Sequence, residues 1–212
     1  MFKQPLFDYS VVTTTNSEVK SMGKPKVPKQ LSDLPKPYHT EVLAEISQQT
    51  DRGVALVGGA YIDLVLRDAI TARLCDIPDI FKLLFENRGP LQSFGARIQI
   101  GFALGIYGRR AFQDFNLIKD IRNAFAHSAE AIAFNQTDIS SLCQNLWFPK
   151  TIRFGTRPMP LTGKDMFIRA IELLTNGLYD DLRRIKAGFS SAPFLAMGPS
   201  LSPKSYSNTR AP

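Results

Sequence analysis

The sequence predicts an all-α protein, a single-domain bundle of six to eight helices with disordered arms at its N- and C-terminal ends. Three observations carry this. Between residues 37 and 187, apolar residues recur at three- and four-residue spacing, and no segment alternates as a half-buried strand would. Thr, Ser, Lys and Pro gather at 1–36 and 188–212, without a period, as in flexible, partly extended chain. The 212 residues are 44% hydrophobic, enough for one core.

The first helix is expected over His39–Gln49. A long apolar helix follows from Gly53 to Leu74, with a stripe of Leu56, Ala60, Leu64 and Val65, then Ile70 and Leu74. Gly58 and Gly59 weaken it by about 1 kcal/mol each relative to Ala, so their presence predicts a close helix crossing there. Asp63 and Arg67 are four apart and can pair along the helix. "IPDIFKLLF" reads as a short helix opened by Pro78. "ENRGP" is a turn, and Pro90 suits the first position of the next helix, Leu91 to Tyr107. That helix is apolar on nearly every side, which places it in the middle of the bundle. Its one cation, Arg97, requires a carboxylate or carbonyl partner where buried. The helix from Arg109 carries a core stripe of Ala111, Phe115, Ile118, Ile121 and Phe125. "TDISSLCQNLW" is a further short helix, and 150–163 an irregular loop. Thr162 caps the last helix, which runs to about Lys186 with Phe167, Ile171, Leu174, Leu178, Leu182 and Ile185 on one face.

The formal charge of +7 sits mostly at the ends. Residues 1–38 carry six lysines against three acids, and 188–212 carry two cations and no acid, which leaves +2 for 39–187. Phosphate-backbone binding needs clustered Lys and Arg, so a nucleic-acid-binding core is disfavoured, while the basic arms can add loose affinity. The segment "MFKQPLFDYSVVTTTN" lacks a signal-peptide apolar core, and no run reaches the roughly 18 apolar residues of a membrane span. Cys75 and Cys143 fit no metal or redox spacing and read as small buried residues. The expectation is a soluble cytoplasmic protein with no metal, no cofactor and no membrane contact.

The stretch "IRNAFAHS", Ile121 to Ser128, places Arg122 and Asn123 just before one of two histidines in the chain, His127. On a helix Asn123 and His127 share a face, and Arg122 lies at the edge of the apolar stripe, able to reach toward them. The three residue types suit chemistry on a phosphate: a proton-transferring imidazole, a fixed cation and an orienting amide. The competing reading is structural. A histidine in a last helical turn is favoured by the helix dipole, and Arg122 can pair with Asp63, an acid inside the apolar helix. "RGPLQSFGAR" offers helix-start N–H groups that can hold an anion, or simply a chain turn. Lys150, Arg153 and Arg157 beside Phe154 suit single-stranded nucleic acid, or a loop packed on the bundle. His39 reads as a solvated residue near the first helix start.

"GPLQSFGARIQIGFALGIY" followed by "AFQDFNLIKDIRNAFAHS" on consecutive helices resembles the mannitol operon repressor family (MtlR-like proteins), over Gly53 to Asp138. The resemblance implies an all-helical transcriptional regulator without a recognisable DNA-reading domain. "RNAFAH" also resembles the Arg-polar-His pattern of HEPN domains, whose ribonuclease members cleave RNA without metal across a dimer. That likeness implies that Arg122 stabilises phosphate charge and His127 serves as acid or base, with Asn123 the polar residue after the arginine. Toxin members often have a tyrosine two residues after the histidine; here it is Ala129. Three functions follow as expectations: a repressor acting through protein contacts or weak nucleic-acid binding, a metal-independent ribonuclease, or a non-catalytic interaction module. The long apolar helices suit a homodimer.

Overall fold

A computed structural model describes residues 36–74, 77–86, 88–151 and 161–187. The arms at 1–36 and 188–212 lie outside these, apart from Lys36, as do Cys75, Arg153, Phe154 and Arg157. Among the described residues there are seven α-helices, one 3-10 turn and no strand. The helices are α1 (Lys36–Ser47), α2 (Asp51–Thr71), α3 (Pro78–Phe85), α4 (Phe94–Ala103), α5 (Arg109–His127), α6 (Thr137–Asn145) and α7 (Gly163–Lys186), with the 3-10 turn at Phe148–Lys150. The fold is all-α. No helix among the described residues is long and apolar enough to cross a membrane.

The two longest helices, α2 and α7, pack along each other and form the centre. α1 lies across both, α4 and α5 flank α2, and α6 closes against α5 and α7. The start of α7 follows from its sequence. Thr162 accepts from Asp165 N, and Asp165 accepts from Thr162 N, a reciprocal box that satisfies two otherwise orphaned donors. Its predicted stripe is buried from Phe167 to Leu182, with Ile185 half-buried. On α5 all five predicted stripe residues are fully buried. Cys143 is buried as read, and burial pushes its thiol up to about 12.

Two elements depart from the sequence reading. On α2 the buried face is Val54–Ala55, Gly58–Gly59, Tyr61–Ile62, Val65–Leu66 and Ala69–Ile70. Ala60 and Leu64, assigned to the stripe, are exposed instead. A helix apolar on most of its circumference does not declare its inner face by spacing alone, and here the glycine pair decides it. A Cβ on Gly58 would stand 2.6 Å from Ile171 Cδ1, and one on Gly59 would stand 2.7 Å from Arg122 Cγ. The predicted close crossing is therefore double, with α7 on one side and α5 on the other.

The second departure is α4. It is ten residues long, begins at Phe94 under a Ser93 cap, and has only Ile98 and Gly101 buried. Pro90 sits in the preceding turn, not at the helix start. Ser93 Oγ accepts from Ala96 N at 3.1 Å, so the cap three residues later defines the start. Gly105, at φ +68°, turns the chain out of the helix. α4 is thus a flanking helix. Its excess apolar surface meets α2, α5 and the Tyr107 ring, whose hydroxyl donates to Ile98 O at 2.6 Å.

Candidate functional site: a cation-lined groove between α2, α4 and α5

Asp63 of α2 and Arg97 of α4, charged residues inside two apolar helices, meet each other. Arg97 Nε and Nη2 donate to the two Asp63 carboxylate oxygens at 2.7 and 2.6 Å. Arg97 Nη1 also donates to Leu91 O at 2.8 Å and Gln92 O at 3.0 Å. The arginine therefore has both kinds of partner that its burial demanded, and it ties the turn before α4 to α2.

This removes both sequence-based partners of Asp63. Arg67, four residues on, instead places its guanidinium 5.2 Å from the Phe85 ring centroid. Arg122 donates from Nη1 to Asn123 Oδ1 at 3.0 Å. The pairing of Asp63 with Arg122 is corrected for a geometric reason. The Arg122 stem crosses the bare backbone of Gly59, which leads its head along α2 into a groove, while Arg97 covers the carboxylate in a bidentate fork.

That groove has a volume of about 850 Å³. Asp63, Leu64 and Arg67 of α2 form one wall, and Lys119, Arg122 and Asn123 of α5 the other. Gln92, Ser93 and the first residues of α4 close the end, so "RGPLQSFGAR" does bring its helix start to this space. Lys119 is held by Asp120 at 3.2 Å and by Asn116 Oδ1 at 3.3 Å.

Of the three motif residues, the structure brings Arg122 and Asn123 into the groove and leaves His127 out. His127 is the last residue of α5 and is exposed. The chain leaving α5 is held by a residue the sequence reading passed over. Arg52 Nη2, from the first turn of α2, donates to Ser128 O at 3.1 Å and Glu130 O at 2.7 Å. Beside it Asp51 accepts from Phe134 N and pairs with Lys164 at 3.3 Å.

His39, expected from the sequence as a solvated residue, is corrected by the structure. It is half-buried, its Nδ1 bonds the Tyr61 hydroxyl, and its ring packs on Tyr61 and edge-on to Tyr179 at 4.9 Å. Burial lowers its pKa, against the raising influence of Asn176 and Glu172. Asp114 likewise has a role that no sequence motif marks. Fully buried on α5, it accepts from Trp147 N and Phe148 N at 2.9 Å each and so fixes the 3-10 turn. Desolvation raises its pKa, partly offset by those two N–H groups. Among the described residues no group of three His, Cys, Asp or Glu can hold a metal ion.

Together these features define a class: a helical-bundle domain with an arginine-rich groove at the junction of three helices. Residues 77–175 match the family model described as MtlR, Mannitol repressor, so over that stretch the chain is similar to the mannitol repressor family. No curated protein and no solved structure matches the chain. The match begins later than the resemblance drawn from the motifs and extends into α7. It includes the α4 and α5 walls of the groove, while the α2 wall precedes it. It names the mannitol repressor family alone and assigns nothing to the HEPN-type pattern in α5.

Proposed function

We propose that the protein is a cytoplasmic transcriptional repressor of the mannitol-repressor type that acts through contact with another protein, with nucleic-acid binding weak and secondary. The family match over residues 77–175 carries this reading. The charge distribution supports the protein-contact route, because 39–187 holds only +2 of the chain's +7. A homodimer fits the exposed apolar side chains on α2 and α3, where Leu64 is 40% and Leu83 67% exposed. Sedimentation equilibrium gives the mass that tests it.

The regulatory reading is tested by transcript levels in a strain lacking the gene, grown with and without mannitol. Release of one or a few operons is expected, with no nanomolar complex between the purified full chain and the released promoter. No change in any transcript overturns the regulator. A tight, sequence-specific complex overturns the protein-contact route.

The second reading is a metal-independent ribonuclease, favoured by the placing of Arg122, Asn123 and Lys119 around one groove. It requires His127 of one copy to meet Arg122 of another. RNA cleavage in EDTA, lost in both Arg122→Ala and His127→Ala variants that remain folded, would establish it.

A further inference from the structure

We infer that the groove between α2, α4 and α5 is a binding site for a small metabolite carrying a phosphomonoester group. The inference does not rest on the regulatory reading, since it concerns what the purified chain binds and not what that binding controls.

The first ground is size. About 850 Å³ lies within the range of small-molecule sites and exceeds what one ordered ion would need. The second is charge that the protein leaves unbalanced. Four cations line the groove against one carboxylate, and the fork between Arg97 and Asp63 neutralises one pair. Arg67, Lys119 and Arg122 remain. Lys119 pairs with the exposed Asp120 and donates to the neutral Asn116 amide oxygen. Among the described residues, Arg67 and Arg122 have no carboxylate within ion-pair distance; their partners are the Phe85 ring and the Asn123 amide oxygen. Two guanidinium groups and an ammonium around one space suit a dianion. A phosphate offers its oxygens to the guanidinium fork, and the ammonium adds a point charge.

The third ground is preorganisation. The Arg122 stem lies so close over Gly59 that a Cβ there would meet its Cγ at 2.7 Å and its Cβ at 3.0 Å. Its head is thus set by contact between two rigid helices and not by a mobile loop, which lowers the ordering cost of binding. The start of α4 at the groove's end adds the positive end of a helix dipole. Beside it, a Cβ on Gly95 would meet only Lys119 Cδ, at 3.8 Å, so there is room next to the ammonium. Gln92 and Asn123 supply neutral donors and acceptors suited to the hydroxyls of the ligand's body. Nucleic acid carries the same phosphate chemistry. The small ligand is favoured because the cations converge on one groove, whereas a polynucleotide needs a row of them.

The test is titration calorimetry on the full chain with glucose 6-phosphate, glycerol 3-phosphate, AMP, glucose and a 12-residue single-stranded RNA. Saturable binding of at least one phosphomonoester is expected, and none of glucose. Arg122→Gln and Arg67→Gln should each weaken it about tenfold or more, the loss of one charge-assisted contact. Arg184→Gln, exposed on α7, should leave it unchanged. Should Arg122→Gln unfold by circular dichroism, Lys119→Gln on the partly exposed face serves in its place, with the same expected direction. No saturable binding of any phosphomonoester overturns the inference, as does binding that survives all the groove substitutions. RNA binding that depends on Arg122 while the small phosphates give no heat overturns the ligand class and makes the groove a nucleic-acid site.

Discussion

Replacing Asp63 with Asn should destabilise the fold by about 2 kcal/mol. The substitution keeps the side-chain shape and removes one charge. Arg97 then faces an amide that can accept one of its two bonds and opposes the other with an NH₂ group. The side chains of Arg97 and Asp63 are 11% and 21% exposed, so water replaces the lost bond poorly. Losing one charge-assisted hydrogen bond in such a place costs about 1.5–3 kcal/mol, well above the 0–1 kcal/mol of an exposed ion pair. Arg97 retains its bonds to Leu91 O and Gln92 O, which keeps the loss below the 3–5 kcal/mol of a fully orphaned buried charge. For a folded region of this size, about 2 kcal/mol lowers Tm by about 4–8 °C. The assay is thermal unfolding by circular dichroism of wild type, Asp63→Asn, Arg97→Met and the double variant. A coupling energy above about 1 kcal/mol is expected from the cycle. A Tm change under about 1 °C for Asp63→Asn, or additive single effects, would show that the fork contributes nothing beyond a surface pair.

Gly59→Ala should destabilise by about 1–2 kcal/mol, because overpacking against the root of the Arg122 side chain outweighs the helix-propensity gain. Gly58→Ala crowds the far methyl of Ile171, with Phe167 and Ile46 at ordinary contact distance, and should cost less than Gly59→Ala; equal urea midpoints for the two would contradict this. Asp114→Ala leaves the Trp147 and Phe148 N–H groups without their acceptor, at a cost of about 2–4 kcal/mol, and should red-shift the emission of Trp147, the single tryptophan. His39 has a folded pKa below its ordinary 6.5, chiefly through burial, so its contribution is intact above that pH and is lost as pH falls through the folded value. The stability difference between wild type and His39→Phe should therefore change as pH falls from about 6.5 toward 5, and a constant difference refutes it. His127→Ala should change stability by less than about 0.5 kcal/mol, since the side chain is exposed and Arg52 holds the chain that follows; marked unfolding would mean that the motif pins the bundle through its histidine.

Legibility in the sequence followed the width of each helix's apolar stripe. α5 and α7 alternate an apolar stripe with charged residues, so one orientation satisfies the pattern and the stripe could be named in advance, though not the buried Asp114 and Asp181 beside it. α2 and α4 are apolar around most of their surface, so several orientations satisfy it equally. What selects among them is shape. Gly58 admits Ile171 and Gly59 admits Arg122, contacts made across more than sixty residues of chain and invisible to a periodicity argument. The same limit governed polar partners. That Arg97 needs a carboxylate or a carbonyl follows from the sequence, because the cost of burying a cation is a local fact. Which carboxylate was a tertiary fact, and the local choice for Asp63, Arg67, lost to a bidentate fork 34 residues away. His39 failed for the same reason, since its neighbours Tyr61 and Tyr179 come from two other helices.

The motif itself divides along the helix period. Residues one apart lie about 100° apart on a helix, and residues five apart about 140°. Arg122 and Asn123 are close enough in angle for one groove to hold both, whereas His127 is turned away from Arg122 by more than a right angle. The backbone alone therefore separates the cation from the imidazole within one copy, and no rotamer change on a straight helix brings them onto one face. Joint action of the two groups demands a second copy, whereas anion binding by Arg122 with Arg67 and Lys119 demands none. The groove is complete in a single chain, which makes ligand binding the property that the fold has already organised and cleavage the one that depends on assembly.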